Sequence, residues 1–69
     1  MNPKFEIKDL VEVKSTSVVG MIISIMIKIV DTGYSISYEV SYPDVNNHPE
    51  AKSFYECELE KVENKKFGF

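Results

Sequence analysis

Hydrophobic and polar residues alternate along most of this chain, and the alternation predicts short β-strands. The clearest example is residues 34–42, YSISYEVSY, in which tyrosine, isoleucine or valine occupies every second position. A period of two is typical of a strand with one buried face. Residues 9–15 (DLVEVKS) repeat the pattern with Val11 and Val13, and residues 51–56 (AKSFYE) predict another strand.

The longest hydrophobic run, residues 18–30 (VVGMIISIMIKIV), also predicts a strand. A membrane-spanning helix needs about 20 apolar residues. This run is shorter and contains Ser24 and Lys28, so we expect no membrane span. Most of its side chains are β-branched, which favours a strand over a helix. The odd positions, Val19 to Ile29, are all apolar and predict the buried face.

Turn-forming residues separate the predicted strands. Residues 15–17 (STS) predict a polar turn, and residues 31–33 (DTG) predict a hairpin loop in which Gly33 can adopt a positive φ. Residues 43–50 (PDVNNHPE) contain two prolines and two asparagines, so they predict a longer loop.

The last part of the chain completes the predicted fold. Residues 57–63 (CELEKVE) predict a short turn that buries Leu59, followed by a final strand with Val62 inside. Five short strands without long crossovers predict an all-β, five-stranded antiparallel small barrel, because closure protects strand edges. The expected organisation is one domain over residues 1–69, with a core at 9–63, an N-terminal lead-in at 1–8 and a C-terminal tail at 64–69.

Four consecutive segments, DLVEVK, VVGMIISI, YSISYEVSY and FYECELEKV, resemble the Src-homology-3-like small barrels of the KOW and Tudor kind. The chain is also similar to short barrels of this type from bacteria and their viruses. The resemblance implies that Gly20 allows a sharp turn at the start of strand two. It also implies that Leu59 plugs the barrel from a helical turn. Since such barrels generally bind proteins, modified peptides or nucleic acids, the resemblance also implies a binding function rather than an enzymatic one.

The even positions of the long strand predict an unusually apolar outer face. Left bare, such a face would be adhesive, so it predicts a contact with a protein partner or a second copy. The predicted interface consists of Ile22, Met26, Val30, Phe67 and Phe69. The alternative is that a bent strand buries some of these side chains in the barrel, or that the chain's own termini cover them, through Phe5 and Ile7 or through the terminal phenylalanines.

The tyrosines allow two interpretations. Three of them share a strand face with isoleucine and valine, which predicts core or rim positions. An aromatic cage for a methylated lysine or arginine is the alternative, since converging rings bind cations. Its walls would be Tyr34, Tyr42 and Tyr55, with Asp31 or Asp44 supplying the charge.

Composition argues against several kinds of chemistry. The 69-residue chain has a net charge of −3, and every cation is a lysine, so a nucleic-acid partner is not expected. His48 and Cys57 are the only residues of their types, and Cys57 stands between two glutamates that disfavour its thiolate. We therefore expect no metal, no cofactor and no enzymatic activity.

The sequence thus predicts a non-enzymatic small barrel that acts by protein–protein contact and self-associates through the outer face of strand two. The lone cysteine and the absence of an apolar leader predict a cytoplasmic location. Two alternatives remain open at this point. One is a nucleic-acid or methylated-peptide binding module, and the other is a phage-encoded inhibitor of a host protein.

Overall fold

The computed structural model describes residues 2–62, which form one antiparallel β-sheet. The strand order across the sheet is β4-β3-β2-β1-β5. The elements are β1 (Leu10–Val13), β2 (Val18–Val30), β3 (Gly33–Pro43), β4 (Pro49–Tyr55), a one-turn 3₁₀ helix (Glu56–Glu58) and β5 (Leu59–Lys61). The prediction of an all-β chain with five antiparallel strands is confirmed. No pairing joins β4 to β5 within the described range, so the sheet is not closed, and the barrel stays a prediction.

The two loops on either side of β3 are shorter than predicted. Val30 pairs with Gly33, which leaves a two-residue connection, and Gly33 has a φ of 145°. At the other end, Pro43 pairs with Pro49, so both prolines lie at strand ends. Proline is tolerated there because a strand end does not need its N–H for the ladder. The intervening loop is held by Asp44, whose side chain accepts backbone hydrogen bonds at 2.8 Å from both Asn46 and His48.

The hydrophobic core lies on one face of the sheet, which we call the inner face; the opposite one is the outer face. Tyr38 and Val40 of β3 are fully buried there. The other buried side chains are Phe5, Val11, Val13, Ile22 and Leu59. Leu59 directly follows the 3₁₀ helix and is buried, which confirms the prediction of a short turn that buries this residue. Phe5 belongs to the segment predicted as a lead-in, so the packed unit begins before residue 9.

Candidate interaction surface

The long strand β2 changes face along its length because it contains a β-bulge. Ile22 pairs with Val40 and Ser24 pairs with Glu39, so Ile23 has no partner on β3. One extra residue reverses the side-chain alternation. Before the bulge the even residue Ile22 faces the core; after it the odd residue Ile25, opposite Tyr38, faces the core. The prediction of one buried odd face along the whole strand is therefore wrong.

This reversal corrects the predicted interface. Ile22 is completely buried beside Val40, so it cannot contact a partner. Met26 and Val30 lie beyond the bulge on the outer face, and both are exposed, Met26 by 63%. Phe67 and Phe69 lie outside the described residues. Of the predicted interface, the structure leaves Met26 and Val30 available for contact.

Further apolar side chains extend the exposed surface on the outer face. Leu10 of β1 is opposite Met21 of β2, and both are exposed. Val19 and the bulge residue Ile23 are exposed as well. The hydrophobic side chains therefore follow β2 from the β1 contact to the hairpin loop, rather than forming a single spot.

The end of the β2–β3 hairpin projects beyond the rest of the sheet. Pairing with β1 begins at Met21, and β4 joins β3 only from Ser37 onward. Residues 23–36, the projecting hairpin, therefore have no flanking strand within the part of the chain that the structure describes. Near the hairpin loop its inner face is uncovered too, since Ile29 is 70% exposed and Tyr34 is 54% exposed, whereas Ile25 and Ile36 pack against the core. This hairpin presents hydrophobic side chains on both faces.

The predicted aromatic cage is not formed. Tyr34 and Tyr42 share the inner face of β3 but stand eight residues apart, which is about 26 Å along a strand. Tyr55 pairs with Ser37, so it lies on the outer face, opposite to the face of Tyr38. The sequence placed these rings on strands correctly, but strand length and face keep them from converging on one cation.

Tyr42 instead lines a small open cleft at the other end of the sheet. The cleft has a volume of about 160 Å³ and is mostly apolar. Its lining consists of Val13, Ser15, Thr16, Val18, Tyr42, Lys52 and Phe54. It has room for roughly one side chain, since a cavity of about 150 Å³ holds a benzene-sized molecule.

A hydrogen-bonded cluster anchors the N-terminal segment to the sheet. The Tyr38 hydroxyl donates to Glu56 Oε2 at 2.5 Å, a length typical of a charge-assisted bond. The backbone N–H groups of Lys4 and Phe5 both donate to the Tyr38 oxygen, at 2.9 and 3.3 Å. Lys4 N–H also donates to Glu56 at 2.9 Å. Sequence reasoning missed this cluster, because its members are far apart along the chain.

The cluster shifts the pKa values of Tyr38 and Glu56 in opposite directions. Burial, followed by the hydrogen bond to Glu56, raises the pKa of the Tyr38 phenol. The hydrogen bond from Tyr38, followed by that from the Lys4 N–H, holds the pKa of the Glu56 carboxyl below its ordinary value. Each proton donor stabilises the ionised carboxylate. The donors are the Tyr38 hydroxyl and two backbone N–H groups of the N-terminal segment. The cluster therefore holds the N-terminal segment against the sheet.

The remaining candidate residues lie on separate elements of the described chain. His48 lies in the β3–β4 loop, Cys57 is exposed on the 3₁₀ helix, and residues 2–62 contain no group of three metal-ligating side chains. Lys28 is on the outer face and Lys52 on the inner face, so these two cations do not form one patch.

The described segment has no helix that is long and apolar enough to cross a bilayer. No known protein family, no curated protein and no solved structure matches this chain.

Proposed function

We propose that this protein is a non-enzymatic β module that acts by protein–protein contact and self-associates through its projecting hairpin. One observation carries the proposal: beyond the bulge, hydrophobic side chains are exposed on both faces of β2. Met26 and Val30 are exposed on the outer face, and Ile27 and Ile29 on the inner face. An apolar surface of this kind on a small monomer is typical of an interaction site.

The energetics support association of moderate strength. Burying one large aliphatic side chain completely contributes about 1.5–3 kcal/mol. The side chains of the projecting hairpin are only partly exposed, so each contributes a fraction of that amount. Several acting together can exceed the cost of about 4–15 kcal/mol for immobilising two molecules. We expect a dimer that forms at micromolar rather than nanomolar concentrations.

Within this proposal we keep the Src-homology-3-like small barrel as the fold. Two features support it: the strand order β4-β3-β2-β1-β5, and the 3₁₀ helix Glu56–Glu58 before the last strand. We also propose a cytoplasmic location, on the ground that Cys57 is an exposed free thiol suited to a reducing compartment.

The solution mass of a matched pair of lysine variants tests the proposal. Met26→Lys places a charge on the projecting hairpin, whereas Val45→Lys places the same charge on a loop residue that is 99% exposed. By light scattering at micromolar concentration, we expect the wild type to exceed the monomer mass of 7.9 kDa. Met26→Lys should lower the mass to that of the monomer, since burial of an unpaired charge is costly.

Val45→Lys should leave the wild-type mass unchanged, and both variants should keep the β-type circular dichroism spectrum. Even a weak dimer forms at concentrations of roughly several hundred micromolar. A wild type whose mass stays at 7.9 kDa up to that concentration would therefore refute self-association. An equal mass loss in both variants would point to net charge rather than to the hairpin.

A further inference from the structure

The projecting hairpin has an open strand edge in addition to its exposed faces. The last residue of β2 with a backbone partner on the β1 side is Ile22. Its N–H donates to Asp9 O at 2.9 Å, and its oxygen accepts from Lys8 N at 2.7 Å. From Ile23 to Val30, no described residue pairs with β2 on that side. An unpaired edge of this length is a template for another strand.

The register identifies which backbone groups face this edge. In an antiparallel sheet, the N–H and C=O of one residue both point towards the strand on one side, and those of the next residue point towards the strand on the other side. Val30 and Gly33 close the two-residue hairpin loop, so they form a hydrogen-bonded pair. The even residues of β2 beyond the bulge therefore bond to β3, and the odd residues Ile25, Ile27 and Ile29 direct their N–H and C=O outward.

The open edge of β2 lacks the protection found on the other edges. Strand β4 begins with a proline and carries Glu50 and Lys52, and β5 is only three residues long. Prolines, charges and short length are the usual means of preventing edge-to-edge pairing. Along residues 23–30 there is no proline, and Lys28 is the only charged side chain.

We propose that the open edge of β2 pairs in antiparallel orientation with the same edge of a second copy, with Ile27 opposite Ile27. This inference rests on the proposed self-association and specifies its geometry. The two-fold axis then places Ile25 opposite Ile29 of the second copy, so every outward backbone group of these isoleucines is paired. The two five-stranded sheets join into one continuous sheet.

The sequence around Ile27 fits a second copy better than an unrelated strand. Isoleucines at 25 and 29 are symmetric about position 27, so the inner face gains a cross-strand ladder of identical β-branched side chains, which favours pairing. On the outer face, Met26 is opposite Lys28 of the second copy. The two lysines are therefore not directly opposed, and the pairing avoids the like-charge contact that would weaken it.

Single-cysteine cross-linking tests the register. In a Cys57→Ser background, Ile27→Cys places two thiols on directly opposite residues, whose Cα atoms are about 5.5 Å apart in a hydrogen-bonded pair. Disulfides form at about 4.4–6.8 Å. The matched control Met26→Cys leaves its two thiols offset by two residues, with Cα atoms about 8 Å apart. Under mild oxidation, we expect Ile27→Cys to become a covalent dimer at least about tenfold faster than Met26→Cys.

The outcomes separate this inference from the proposed function. If Met26→Cys cross-links faster while the wild type is dimeric, the faces pack instead, so the edge geometry is wrong and self-association stands. The edge geometry is equally wrong if the wild type is dimeric and neither variant cross-links. If Ile27→Cys cross-links only after residues 63–69 are deleted, the chain's own tail occupies the edge and the inference is overturned. A wild type that is monomeric by mass refutes both.

Discussion

Replacing Phe5 with alanine is expected to lower the free energy of unfolding by about 4 kcal/mol, because a buried aromatic ring is lost and a cavity remains. Phe5 is 1% exposed, and its ring meets that of Tyr38 edge-to-face at a centroid distance of 5.2 Å. Small domains have stabilities of only about 5 kcal/mol. Urea denaturation should therefore show a variant that is partly unfolded even without denaturant.

Ile7→Ala is the matched control, since Ile7 lies two residues away and is 48% exposed. We expect a loss of about 0.5 kcal/mol for this exposed position. A Phe5→Ala protein as stable as Ile7→Ala would show that the N-terminal segment is not part of the core. It would also remove the role assigned to the Tyr38–Glu56 cluster.

Gly20→Ala is expected to cost about 3 kcal/mol, since overpacking a close contact forces the backbone to move. A Cβ atom at Gly20 would lie 2.5 Å from Ser41 O and 2.6 Å from Val40 Cγ1. The nearer obstacle is a backbone carbonyl in the paired strand, so β2 and β3 would have to separate. Thermal unfolding should show a midpoint lower by more than about 10 °C, given roughly 4–8 °C per kcal/mol at this size.

Ser35→Ala provides the comparison, because Ser35 sits on the same sheet, opposite Lys28 on the outer face of the projecting hairpin. A change at such a position typically stays within about 0.5 kcal/mol. If Gly20→Ala unfolded at the same temperature as Ser35→Ala, the close packing of β2 against β3 at Gly20 would be disproved.

The strands were predictable because hydrophobic alternation is a local signal. Residues 34–42 alternate without interruption, and β3 indeed runs from Gly33 to Pro43. The bulge at Ile23 was not predictable, since the residues around it are nearly all apolar. A strand such as GMIISIMI gives no sign of where the alternation reverses. Because of this single extra residue, Ile22 lies in the core instead of in the predicted interface.

Long-range contacts account for the other differences. Phe5 is separated from Tyr38 by 33 residues, and Tyr38 from Glu56 by 18. No spacing rule within one segment links such residues. The cage of Tyr34, Tyr42 and Tyr55 failed for a related reason: a strand keeps its side chains in line, and only a closed or strongly bent sheet would bring them together. The prediction that Met26 and Val30 lie on an exposed face is correct, although it assumed a regular strand without the bulge.

Intermolecular nuclear Overhauser effects in a mixed-label sample test the central claim most directly. One half of the wild-type protein would carry ¹³C-labelled methyl groups and the other half would be unlabelled, at a concentration above the measured dimer midpoint. We predict that the contacts between molecules arise from residues 23–30, foremost from Ile25, Ile27 and Ile29. Contacts confined to other strands, or none in a sample of dimeric mass, would contradict a hairpin-mediated self-association.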